Sequence, residues 1–279
     1  MLRARRDGIS FRRRRQLALL TTCVALTVVA AVVFIQHARL AQPAFFTGLT
    51  LYTAILFLLL LGVRRRLPTP VLGNVRDWTQ LHLYTGLFSV GVYVLHVPAL
   101  IGNGIFESGL SILFLLVAGS GIYGIIISRT IPKQLTAIAG ESRFDQIGWQ
   151  RQQVADKATA LLGEISQHSS VGVIEAWYQT ELTPFLVRPP SLGYLLTPSG
   201  RRRRRLLAGL QELERYIEPD CRPTTGRLAA LVRRRDDLDY QYALQLRLRL
   251  WLIFHGLMSV ALLVCASVHG ILAWRFAGW

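Results

Sequence analysis

The chain has 279 residues, 52% of them hydrophobic, and a formal net charge of +16. Mean hydropathy is +0.36, and the apolar residues come in long uncharged runs, which excludes an ordinary soluble domain and indicates a membrane protein. Arginine flanks those runs, so the positive-inside bias accounts for the charge, the lipid bilayer is the first partner, and no nucleic acid is expected.

Residues 1–15 read as a basic cytoplasmic N-terminus, with Arg3, Arg5, Arg6 and the run Arg12 to Arg15. Residues 16–128 hold four predicted spans. Gln16 to Gln36 is the first, too long for a signal-peptide core and without a small-residue cleavage site. Phe45 to Val63 is the second, closed by Arg64-Arg65-Arg66, and the connector Leu67-Pro68-Thr69-Pro70 breaks the helix. Leu81 to Ile101 is the third, with Trp78 at its interface, and Leu110 to Ser128 is the fourth, ending at Arg129 and Pro132.

Residues 129–249 exceed an ordinary loop and read as a helical cytoplasmic subdomain inserted between the fourth and fifth spans. Ile147, Val154, Ala158, Leu161, Leu162 and Ile165 recur at helical spacing, as do Leu206, Leu207, Leu210, Leu213 and Ile217. Leu231, Leu238, Tyr242 and Leu246 mark a third helix that continues into the last span. Arg201 to Arg205 opens the second of these helices and reads as a solvated or lipid-facing charge run. Residues 250–279 contain the fifth span, Leu250 to Trp274, and an external C-terminus. Clusters of arginine alternate along the chain so that the N-terminus is cytoplasmic and the C-terminus periplasmic. Only Lys133 and Lys157 are lysines, which points to a GC-rich bacterial genome and the bacterial inner membrane. Cys23, Cys221 and Cys265 form neither a CxxC metal motif nor a CxxCH haem-attachment motif.

Four of the six histidines fall inside predicted spans. His82 and His96 are fourteen residues apart in the third, and so are His255 and His269 in the fifth. On an α-helix that spacing brings both rings to one face, about 21 Å apart along the axis. Topology makes the two helices parallel, so His82 pairs with His255 near the cytoplasmic side and His96 with His269 near the outer side. Ionisable side chains within a bilayer are costly and face a functional interior. Two stacked imidazole pairs suit the axial ligation of two b-type haems, with electron transfer as the outcome. Two other readings of the same residues stand beside it: a proton or ion path lined by histidine, and a haem-free membrane anchor or scaffold. Gly86 and Gly256 allow close approach of a flat macrocycle, or simply helix packing. Arg76, Arg247 and Arg249 are placed to neutralise anionic propionates, or to contact lipid head groups. His37 and His168 are isolated and read as solvated.

The paired His-x13-His helices resemble those of diheme membrane cytochromes b, both the cytochrome b of quinol–cytochrome c reductases and the membrane domain of the ferric reductase/NADPH oxidase family. Ser120-Gly121-Ile122-Tyr123-Gly124 followed by Ile131-Pro132 is also similar to segments of bacterial cytochrome b-like membrane proteins. The resemblance implies an all-α haem-binding bundle with two non-covalent haem b groups. His82 and His255 would serve one and His96 and His269 the other. The chain departs from the first family in having no Pro-Glu-Trp-Tyr motif, and from the second in having no glycine-rich dinucleotide fingerprint. What remains is an electron-transfer subunit of an oxidoreductase complex. Its electrons come from quinol, with quinone a candidate ligand, or through an iron–sulfur protein or cytochrome c partner.

Overall fold

The computed structural model describes residues 11–66, 73–138, 140–165, 171–215 and 222–276. Arg3, Arg5, Arg6, Pro68, Pro70, His168, Ile217 and Cys221 lie outside the described residues. Every described element is helical: α1 (Phe11–Ala38), α2 (Ala44–Arg66), α3 (Val75–His96), α4 (Ile105–Thr136), α5 (Phe144–Ile165), α6 (Val171–Trp177), a π-helical turn (Tyr178–Leu182), α7 (Thr183–Val187), α8 (Leu192–Leu196), α9 (Arg201–Leu213) and α10 (Arg222–Phe276).

Four of these, α1, α2, α4 and α10, are long and apolar enough to cross a membrane, among the described residues. Five spans were expected. The helix that falls short is α3, because Gln80, His82, Ser89 and His96 dilute its apolar residues. It packs instead against α1 and α2, and Ser89, Val92 and Tyr93 are buried there. The third span also ends earlier than the expected Ile101. Val97 leaves the helix with φ −125° and ψ 80°, and the following Pro98 disfavours helical backbone at that position. His96 is therefore the last residue of α3. The opposite error occurs in α4, which was expected to stop near Ser128 but runs through Pro132 to Thr136. Ile127, Ile131 and Leu135 are buried with Leu244 there, and that packing offsets the hydrogen bond that proline removes.

The chain forms two compact units, one of residues up to Gly124 together with those from Ile253, the other of Ile125–Leu252. In the first, Val29 and Val33 of α1, Leu51 and Ile55 of α2, Val92 and Tyr93 of α3, Phe114 of α4 and Leu262 of α10 form one core. Its outward residues, such as Leu20, Val28, Phe34 and Ile122, are exposed, as lipid-facing side chains are. The second unit has a separate apolar core. It joins Ile147, Val154 and Ala158 of α5 to Phe185 and Leu186 of α7, Leu206 and Leu210 of α9, and Leu228, Val232 and Leu238 of α10. The periodic sets read from the sequence thus supply this core.

Charged residues are also buried in the second unit. Arg235 is fully buried, pairs with Asp239 and donates to the carbonyls of Leu186 (3.2 Å) and Arg188 (2.9 Å). Arg151 also pairs with Asp239, at 3.2 Å. Tyr194 donates to Asp236 at 3.2 Å, and burial and that carboxylate push its phenol well above the usual range, so it remains a donor.

Candidate functional site

All four span histidines lie in the first unit, and the structure brings them together in two pairs. The ring centres of His82 and His255 are 6.4 Å apart with planes at 72°. Those of His96 and His269 are 6.5 Å apart with planes at 80°. All four side chains are half-buried. The equal separation of the two pairs follows from the equal fourteen-residue spacing on α3 and α10.

What holds the rings was not visible in the histidine spacing. His82 Nδ1 lies 3.0 Å from the carbonyl oxygen of Leu58 on α2. A carbonyl only accepts, so Nδ1 carries the proton. His255 Nδ1 lies 2.7 Å from the hydroxyl of Ser120 on α4. That hydroxyl also lies 2.8 Å from the carbonyl of Val117, which gives its own proton an acceptor. His96 Nδ1 lies 2.9 Å from the hydroxyl of Thr47 on α2, which donates to Pro43 and Ala44 carbonyls at 3.0 and 3.1 Å. The Leu58 carbonyl sets His82 in the Nδ1–H tautomer with the lone pair on Nε2, and the same tautomer at His255 and His96 lets the Ser120 and Thr47 hydroxyls accept from Nδ1–H. Phe106 stacks on the fourth, His269, with 6.3 Å between ring centres.

A hydroxyl followed by glycine recurs at both levels. A Cβ at Gly48, next to Thr47, would stand 3.1 Å from His96 Cε1, and one at Gly121, next to Ser120, would stand 3.7 Å from His255 Cε1. One residue holds the ring and the next leaves it room. Thr47-Gly48 and Ser120-Gly121 are the residues that histidine counting missed, and the repeated hydroxyl–glycine pair is the signal that could have found them. Gly86 and Gly256, the glycines nominated from the sequence, meet nothing within 4 Å of an added Cβ, so open space adjoins both.

Arg76 is exposed at the start of α3. Arg249 belongs to the second unit, where its guanidinium sits 4.0 Å above the Phe144 ring. Arg247, in the same unit, donates to the Leu196 carbonyl at 2.6 Å. Between the two histidine levels, Tyr93 stacks on Phe114 at 4.2 Å and Tyr52 bonds Ser267 at 3.0 Å, which ties α3 to α4 and α2 to α10. Among the described residues no group of three or more His, Cys, Asp or Glu side chains could hold a metal ion.

No family model, curated protein or solved structure matches the chain. The likeness to diheme cytochromes b therefore rests on the sequence alone: mainly the four histidines and their spacing, with the Ser120–Gly124 and Ile131-Pro132 segments beside them.

Proposed function

We propose that the two histidine pairs are axial ligand sets for two b-type haems, and that the protein carries electrons across a bacterial inner membrane as a subunit of a larger redox complex. The observation that carries this reading is the paired ring separation of 6.4 and 6.5 Å. A metal bonded to two opposed imidazoles at about 2.0 Å requires ring centres about 6.3 Å apart.

The chain's own residues have definite tasks on this reading. His82, His255 and His96 present Nε2 as ligand atoms, as His269 does opposite His96. Leu58, Ser120 and Thr47 fix ring orientation and raise ligand basicity through Nδ1. Gly48 and Gly121 keep space beside the rings, and the open space at Gly86 and Gly256 leaves room for a flat group. A haem held by two imidazoles supplies a one-electron couple with no open coordination position. On this reading α3 crosses beside the four apolar helices as a fifth span, which would set both pairs at matched depths, with residues 129–249 and the N-terminus cytoplasmic and the C-terminus periplasmic. Arg76 lies at the α3 end that carries His82 and is a candidate partner for propionates. Arg249 serves there only if it leaves Phe144. Quinol, an iron–sulfur protein or a cytochrome c supplies or accepts the electrons.

One observation favours a second reading, a histidine-lined proton or ion path or a cofactor-free scaffold. Apolar helices without any three-ligand cluster, among the described residues, need no metal to account for them. A pyridine haemochrome assay and a reduced-minus-oxidised spectrum on the purified protein separate the two. The expected result is two haem b per chain, with His96→Ala and His269→Ala together removing one. Protein that carries no haem b when expressed with haem in excess, and conducts protons in liposomes, refutes the electron-transfer reading.

A further inference from the structure

The second unit contains a cavity of about 340 Å³ that the histidine chemistry does not use. Arg188, Arg201 and Arg202 line it, together with the buried carboxylates Asp236 and Asp239. Those carboxylates are already matched. Asp236 pairs with Arg203 at 3.3 Å and accepts from Tyr194, and Asp239 pairs with Arg235 and with Arg151. Arg203 also reaches Asp237 at 3.5 Å. Six arginines thus stand against three carboxylates, and the three on the cavity wall are those in excess. The Arg202 guanidinium lies 5.2 Å above the Phe185 ring on the cavity wall, and planar guanidinium groups lining a small cleft suit a phosphate, which accepts from them in bidentate fashion.

The flank of the cavity says which kind of phosphate. Gly193 of α8 and Thr197 just after it line the cavity, while Leu192 and Leu196 of α8 are 79% and 75% exposed. Val187, beside Arg188, is 69% exposed. Large apolar side chains this bare belong against lipid, and they adjoin a basic cleft as in an interfacial anchor. α8 is also tied to a membrane-crossing helix. Arg247 of α10 donates to the carbonyl of Leu196 at 2.6 Å, three residues before the apolar run that starts at Leu250.

We propose that this cavity binds the phosphate of an anionic phospholipid head group, with Val187, Leu192 and Leu196 entering the acyl boundary. The site is independent of the haem reading. The detergent-solubilised full chain is titrated with short-chain phosphatidylglycerol, and separately with inorganic phosphate, in thermophoresis. Arg188→Gln, Arg201→Gln and Arg202→Gln together should weaken phosphatidylglycerol binding roughly a hundred-fold, at about a factor of five per arginine. Leu192→Ser with Leu196→Ser should weaken it too, and millimolar inorganic phosphate should not compete. An equally tight triple variant that melts like the parent overturns the site. Equal competition by inorganic phosphate overturns the lipid assignment. If the triple variant misfolds, the three Arg→Lys changes decide the matter: they keep the charge but lose the planar bidentate fork, so the folded lysine variant should bind phosphatidylglycerol about ten-fold more weakly than the parent, and unchanged affinity overturns guanidinium recognition of the phosphate.

Discussion

The two units bury polar groups in different ways. In the first, most half-buried or buried polar groups are neutral histidine, serine, threonine and tyrosine bonded to a neighbouring helix or their own turn, and the buried charge at the end of α2, Arg64, donates to the Gly73 carbonyl at 2.6 Å. In the second, full charges are buried, with Arg235, Asp236 and Asp239 at 0%, 5% and 5% exposure. The difference lies in how far the surroundings can compensate a charge. The second unit has guanidinium, carboxylate and backbone carbonyls close together, so each ion is matched on several sides. A lipid-facing bundle has no water to draw on, and unmatched charge is avoided there. Polar groups that remain are therefore few and aimed, which is why four histidines stand out.

The comparison breaks most sharply at Arg235. Arg235→Leu leaves Asp239 and the Leu186 and Arg188 carbonyls short of a buried partner. It should cost the second unit about 3–5 kcal/mol. Hydrogen exchange should rise over α5 to α9 while α2 and α3 keep their protection. An equal rise in both units means that they do not store stability separately.

A smaller effect is expected at Gly48 in the first unit. Gly48→Leu drives side-chain atoms into His96, which already lies 3.1 Å from an added Cβ. About 1–3 kcal/mol should be lost from the thermal stability of the solubilised protein. Gly86→Ala, next to open space, should change it by less than about 0.5 kcal/mol. If the two substitutions cost the same, the hydroxyl–glycine pair has no special role.

Ser120→Ala is the mildest. It removes one hydrogen bond to His255 Nδ1, at about 0.5–1.5 kcal/mol. Nitrogen-15 spectra of labelled histidine should show His255 losing its fixed Nδ1–H tautomer while His82, held by the Leu58 carbonyl, retains its own. A His255 tautomer that does not change would mean the ring is held by something other than Ser120.

Much of the fold was legible in the sequence because it depends on local periodicity. Uncharged runs located α1, α2, α4 and the end of α10, and the leucine spacing located α5, α9 and the start of α10. The two prolines misled in opposite senses. Pro98 stopped α3 at His96, whereas Pro132 was absorbed into α4 by burial of its neighbours. Proline's local cost is the same at both, and only the packing around it differs. The arginine run at Arg201 to Arg205 looked solvated, yet Arg203 reaches the buried Asp236, because carboxylates more than thirty residues away fold back beside it.

By itself the sequence determined that the chain is helical and membrane-embedded, and that two histidines share a face on each of two helices. Those properties follow from composition and from a period of 3.6 residues, which need no knowledge of neighbours. Tertiary structure alone decided that the faces meet, that Leu58, Thr47 and Ser120 orient three of the rings, and that a basic cavity lies beside exposed leucines. Each of these depends on groups brought together from distant parts of the chain, and distance in space is what a linear pattern does not contain.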